Sequence, residues 1–263
     1  MKARAENASK ESPKPSVFLN GIFAGVRSAA LLCLVLPYFL VMATGVVVTS
    51  MLGLRLTWGW WFARVFCGNV LRLSGVTWTA RGVEHIPKTG GFVLVANHQS
   101  HFDGLLLITV FPRLLQAVAK RELYYFLPLG LAFWAIGFVP VHRRDPKKAG
   151  KSVHSGTRVL QRGGALMVFP EGTRTDAREV YRFKTGAARM AIDAGVPLLP
   201  VGISGTETIL RAHSWTVRPG TVHVEVGAPI DTSGASFEDR RLLTDRAHQA
   251  VQQLKASAQQ GVS

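Results

Sequence analysis

The densest polar cluster of the chain reads Asn97-His98-Gln99-Ser100-His101-Phe102-Asp103 and directly follows the apolar run GFVLVA. Polar groups just past a strand and at a helix start are typical of α/β active sites. His98 and Asp103 are five positions apart. On a regular helix that is a rotation of about 140°, and the two would not face each other. With His98 in a loop and Asp103 in the first helical turn, the carboxylate can fold back onto the imidazole. The result is a neutral histidine held in one tautomer, which is a competent general base. A plainer reading makes Asp103 a helix cap and His98 a packed core residue. No G-x-S-x-G accompanies the pair, and Cys33 and Cys67 lie far from it in sequence. The base should therefore activate a hydroxyl or a water brought by a substrate.

A second constellation is Phe169-Pro170-Glu171-Gly172-Thr173-Arg174, which follows the apolar run ALMV. Glycine permits close backbone approach, and arginine suits bidentate phosphate binding. Lys184 comes ten residues after Arg174, just before Gly186. Lys120 ends the run LQAVA, and Arg143 follows FVPVH. Cations at the ends of several strands can converge on one phosphate. His98, His101 and Asp103 also read H-x-x-H-x-D, a possible zinc set. No further cluster completes a familiar metal pattern, so the expectation is no metal.

The elements that would position these groups can be read from about Val76 onward. Strands are expected over 76–80, 91–96, 115–119, 138–142, 165–169, 198–203 and 221–226. Helices are expected over 103–110, 146–161 and 186–194, with stops at Gly163-Gly164 and Gly195. The apolar run 123–141, interrupted by Pro128, Gly130, Gly137 and Pro140, reads as a short helix and a strand. This alternation implies an α/β fold: a mixed, largely parallel sheet flanked by helices. Residues 236–254 read as an amphipathic helix with Leu243, Ala247, Ala250, Val251 and Leu254 on one face, and Ser236 and Asp239 suit its N-cap.

Charge then bounds the partners. The 263 residues carry 31 Lys and Arg against 16 Asp and Glu, a net +15 on a chain that is 48% hydrophobic. That excess excludes neither nucleic acid nor a phosphate-bearing lipid surface. No nucleic-acid module is recognisable, so nucleic acid is not the expected partner. No acidic residue occurs between Glu11 and Glu84, and none of Asp, Glu, Lys, Arg or His lies between Arg27 and Arg55. As a helix that run would reach about 40 Å, against the ~30 Å of a hydrocarbon core. Pro37 sits mid-run, Gly45 and Gly53 follow, and basic residues flank both ends. A span would put one basic cluster on the far side, so a dip and return is favoured. The return helix would hold Trp58, Trp60, Trp61, Phe62 and Phe66. The expected organisation is a disordered basic tail (1–15), a membrane-associated hairpin (16–75), an α/β domain (76–232) and a C-terminal helix packed on it (233–263). The other basic residues of the C-terminal half read as solvated surface.

Four ordered blocks resemble the glycerolipid acyltransferases. They are N-H-x-x-x-x-D at 97–103, the run ending at Arg143, F-P-E-G-T-R at 169–174 and V-P-L-L-P-V at 196–201. The resemblance covers roughly residues 75–230. It implies acyl transfer from a thioester, on coenzyme A or acyl carrier protein, to the sn-2 hydroxyl of a lysophospholipid, with no cofactor. It implies His98 as base and Asp103 as its partner. It places Asn97, Lys120, Arg143, Glu171, Gly172, Thr173, Arg174 and Lys184 at the substrate, and the site on the cytoplasmic face of a membrane. His142 stands where an acid is common, and Pro140 lies within the block that shapes the acceptor site. Both bear on which lyso-lipid is accepted, lysophosphatidic acid or one such as lyso-ornithine lipid. A metal-dependent lipid hydrolase is the rival chemistry.

Overall fold

The computed structural model describes residues 15–54, 58–141, 146–174, 180–211 and 214–260. In chain order the elements are α1 (Pro15–Met51), α2 (Trp60–Leu73), β1 (Val76–Arg81), β2 (Phe92–Ala96), α3 (Phe102–Val110), β3 (Leu115–Lys120), α4 (Leu127–Ile136) and β4 (Val139–Val141). They continue with α5 (Pro146–Gln161), β5 (Ala165–Val168), α6 (Gly186–Ala194), β6 (Leu198–Ser204), α7 (Thr206–Ile209), β7 (Gly220–Val226) and α8 (Arg240–Gln260). The seven strands form one sheet in the order β1-β7-β6-β2-β5-β3-β4. Every neighbouring pair is parallel except β6 with β7. The five strands from β6 to β4 therefore deliver their C-terminal ends to one edge.

The central strands are short runs of apolar residues because both faces are covered. Phe92, Leu94 and Ala96 of β2 point into one core with residues of α1, α2, α3 and α4. Val93 and Val95 point into a second core with α5, α6 and α8. The final strand β4 is an edge, which is why Pro140 is tolerated there opposite Ala119. It spans 139–141 rather than the expected 138–142; Phe138 packs into the core instead. Gly163 and Gly195 adopt positive φ of 78° and 64° at the ends of α5 and α6, as helix-stopping glycines do.

Pro37 lies inside the first helix, and α1 continues through it to Met51. Gly45 serves packing, since a Cβ there would lie 2.7 Å from the ring of Phe62. The second helix returns along the first. Phe66 packs at a tilt against Phe39, Asn69 donates to the Tyr38 hydroxyl at 2.8 Å, and Arg27 donates to the Ser74 carbonyl at 2.6 Å. Phe23–Met51 is long and apolar enough to cross a membrane. The C-terminal helix also differs in detail. Ser236 and Asp239 form a capping box over a short 3-10 turn, and α8 follows from Arg240 to Gln260, beyond the expected end at Leu254. Its Lys255 is only 3% exposed, so this residue is not solvated surface. The expected basic tail lies almost wholly outside the described residues.

Gly205 joins β6 to α7 with φ of +97°, and a Cβ there would sit 2.4 Å from the Thr221 carbonyl oxygen. Both strain and clash oppose any side chain. Gly205→Ala is expected to destabilise the detergent-solubilised protein by about 2–4 kcal/mol, read as a lowered denaturation midpoint.

Candidate active site

The site assembles where β2, β5 and β6 end side by side. Asn97 is the first residue past β2, and it is buried. Its Oδ1 accepts from the Ile203 N–H and its Nδ2 donates to the Ile203 carbonyl, both at 2.8 Å. The side chain thus pairs with β6 much as another strand residue would. Asn97 is a clamp between strands rather than a group presented to a ligand.

Beyond that clamp the chain leaves the sheet and turns into α3. His98 Nδ1 lies 2.8 Å from Asp103 Oδ2. The same oxygen accepts from the backbone N–H groups of Gln99 at 2.8 Å and Ser100 at 2.9 Å. Asp103 Oδ1 accepts from the Thr206 hydroxyl at 2.5 Å. The carboxylate is fully buried, while the His98 side chain is 14% exposed. A carboxylate surrounded by donors is held in one rotamer. Its bond to Nδ1 makes that nitrogen the donor, which leaves Nε2 with the lone pair. The His98 ring also stacks on Phe169, with centroids 4.1 Å apart and planes 19° from parallel. The imidazole is therefore fixed by a hydrogen bond at its edge and an aromatic ring at its face.

Glu171 holds the backbone on the other side. Its Oε1 accepts from the His98 N–H at 2.7 Å and its Oε2 from the Tyr181 N–H at 3.0 Å. Burial pushes its carboxyl above the usual carboxylate range, and the two backbone donors oppose that rise. Like Asn97, it faces protein, and it does not line the cavity described next.

That cavity, about 700 Å³, opens beside His98. Its apolar wall includes Phe39 and Val46 of α1, Phe66 of α2, Phe133 and Ile136 of α4, and Met167 of β5. Its polar end carries His98, His101, Lys120, Gly172, Thr173 and Arg174. The volume falls in the range of ligand sites, and the mix of apolar wall and few polar groups is typical of them. Lys120 lies 3.9 Å from Glu122, a half-exposed contact of little energetic weight. Lys184 packs on Gly172, where a Cβ would lie 2.7 Å from Nζ; positive φ of 76° also favours glycine there. Of the expected substrate set, the structure thus brings Lys120, Gly172, Thr173 and Arg174 to the cavity, with Lys184 behind Gly172. Arg143 lies outside the described residues. Among the described residues, no three His, Cys, Asp or Glu side chains gather as a metal-binding group.

Sequence reasoning missed Thr206, which is 103 positions from Asp103. The signal was available: Ser204-Gly205-Thr206 is another polar stretch at the end of an apolar strand.

A histidine–carboxylate pair at the ends of central strands, beside an apolar cavity with a cationic mouth, is the arrangement of a general-base enzyme for a substrate that is part apolar and part anionic. The comparisons agree. The family model named Acyltransferase matches residues 77–204. The chain is 31% identical over 192 residues to the human 1-acyl-sn-glycerol-3-phosphate acyltransferase alpha, covering 72% of this chain and 67% of that one. It is 31% identical over 197 residues to the 1-acyl-sn-glycerol-3-phosphate acyltransferase of Pseudomonas aeruginosa, covering 74% and 73%. The crystal structure of the 1-acyl-sn-glycerophosphate acyltransferase of Thermotoga maritima superposes with a TM-score of 0.75 at 25% identity, covering 89% of this chain and 98% of that one. The chain spans about two thirds of the length of the mammalian relatives it matches. It belongs to the 1-acyl-sn-glycerol-3-phosphate acyltransferase family.

Thr206→Val keeps the shape and removes the hydroxyl, leaving Asp103 Oδ1 short of its donor in a dry site. It is expected to cost about 1–3 kcal/mol of stability, measured by denaturant unfolding. Asp103→Asn is expected to lower kcat on the order of 10³-fold or more, because an amide at that position no longer selects the basic Nε2 tautomer.

Proposed function

We propose that the protein transfers an acyl chain from an acyl thioester to the sn-2 hydroxyl of 1-acyl-sn-glycerol-3-phosphate, making phosphatidic acid. The observation that carries this reading is the His98–Asp103 pair at the mouth of an apolar cavity flanked by Arg174 and Lys120. The names of the relatives point to the same reaction.

In the reaction, His98 Nε2 accepts the proton of the sn-2 hydroxyl as its oxygen attacks the thioester carbon. Asp103 stabilises the imidazolium that forms. The tetrahedral intermediate collapses with cleavage of the C–S bond, and the departing thiolate takes the proton back from His98. The products are a diacyl phospholipid and a free carrier thiol. No acyl-enzyme is needed, because the acceptor hydroxyl is itself the nucleophile. Arg174, Lys120 and Thr173 hold the acceptor phosphate, with Arg143 as a further cation supplied by the sequence. Fixing the phosphate orients the hydroxyl toward His98. These cations favour lysophosphatidic acid over a lyso-aminolipid, which lacks the phosphate. The apolar cavity takes acyl chain. The α1–α2 hairpin dips into one leaflet and returns, so that its basic flanks and the site share the cytoplasmic face.

The test is His98→Ala, purified in detergent and assayed with lysophosphatidic acid and either acyl-CoA or acyl carrier protein thioester. Activity is expected to fall about 10²–10⁴-fold with both donors while the fold persists. Full retained activity would overturn the mechanism.

A further inference from the structure

The helix α4, Leu127–Ile136, reads LPLGLAFWAI and contains no polar side chain. A helix that is apolar all round belongs either in a protein core or in lipid. Here only one side has a protein partner. Gly130, Ala132, Ala135 and Ile136 are buried, and Phe133 lines the cavity. The opposite side is bare. Leu127 is 72% exposed and Trp134 70%, with Leu131 at 46%. Tyr125 and Phe126, in the turn just before, are 70% and 66% exposed. Exposed apolar clusters of this kind mark interaction surfaces.

The surroundings identify the partner. The helix packs against α1, whose outward side is also apolar, with Leu32, Leu36, Leu40 and Val41 exposed. The flanking sequence is net basic: Lys120, Arg121 and Glu122 precede the apolar run, and Arg143, Arg144, Asp145, Lys147 and Lys148 follow it. An apolar run bearing Trp and Tyr with net basic sequence on either side matches the acyl–headgroup boundary of an anionic bilayer. A second protein copy would need no such basic flanks. At ten residues α4 is about 15 Å long and cannot span, so it lies in the boundary region.

We infer that the outer face of residues 125–134 is a second lipid-contact surface, seated in the boundary of the leaflet that α1 enters. This rests on the bilayer placement of α1 given above. One helix then separates the apolar cavity from the acyl chains of the membrane, with lipid on its outer side and the cavity on its inner side.

The experiment attaches a nitroxide to single cysteines in the full chain, in a Cys33→Ser background that leaves only the buried Cys67. The sites are Leu127→Cys, Leu131→Cys and Trp134→Cys on α4, Leu36→Cys on α1, and Leu242→Cys on α8 in the opposite layer. The protein is reconstituted in vesicles of phosphatidylcholine and phosphatidylglycerol. Collision with oxygen, which enters lipid, is compared with collision with a water-soluble nickel chelate. The α4 and α1 sites are expected to lose nickel collisions and keep oxygen collisions, while the α8 site keeps both. Nickel access at all three α4 sites, with Leu36→Cys protected, overturns the inference and leaves the hairpin reading standing. Nickel access at Leu36→Cys as well overturns the bilayer reading itself. Loss of both probes at the α4 sites means a protein covers the face, which also overturns the inference. The readout does not depend on turnover, so it is unaffected by the outcome of the His98→Ala assay.

Discussion

A carboxylate without water must be given hydrogen-bond donors, and the region around Asp103 is organised by that requirement. A buried, unpaired charge costs several kcal/mol even after relaxation. The donors to Asp103 come from the loop after β2, from His98 within that loop, and from Thr206 past the end of β6. They meet only if β2 and β6 end in register. The Asn97–Ile203 pair enforces that register by adding a rung to the sheet where the regular ladder stops. Gly205 makes the sharp exit from β6 that puts Thr206 under the carboxylate. The base is positioned as a by-product of solving a desolvation problem.

The two faces of the sheet then take different tasks. The α5, α6 and α8 side is close-packed: a Cβ on Gly156 would lie 2.3 Å from the Met190 sulfur, and one on Gly202 would meet the backbone of α8. The α1–α4 side contains the cavity. Its walls are the same helices whose outer surfaces are apolar and exposed. The cavity and the exposed apolar surface are therefore two sides of a single layer of helices, and a change in the tilt of α1 or α4 would alter both.

Much of this was legible from the sequence. All seven strands could be located, because each is a short apolar or alternating run closed by polar residues or glycine. The His98–Asp103 pair was legible because both partners lie within one loop and the first turn of one helix. What failed was the direction of polar side chains. Asn97 and Glu171 lie inside conspicuous motifs and were expected at the substrate, yet their side chains bond Ile203, His98 and Tyr181. A motif identifies the residue type that a position requires, but it does not say whether the requirement comes from ligand or backbone. Thr206 and Ile203 escaped notice because their contacts span more than a hundred positions.

The excess of positive charge is the clearest case of context deciding role. Arg113 donates to the carbonyls of Pro87, Gly90 and Gly163, Arg64 to that of Thr109, and Arg27 to those of Ser74 and Val217. These cations close off loop and helix ends. Lys255 is different. Burial lowers its pKa, and Glu207, Glu171 and Asp103 act against that fall. Each of those three carboxylates organises part of the site: Glu207 accepts from the Gly205 N–H, Glu171 from that of His98, and Asp103 from the imidazole. At Glu171 the interaction is reciprocal: burial raises its carboxyl and the positive charge of Lys255 acts against that rise. The helix that delivers Lys255 is α8, and a run of alternating polar and small residues gives no hint that its single lysine points inward. The C-terminal helix therefore supplies a buried cation that acts on the carboxylate holding the His98 backbone, as well as cover for the sheet.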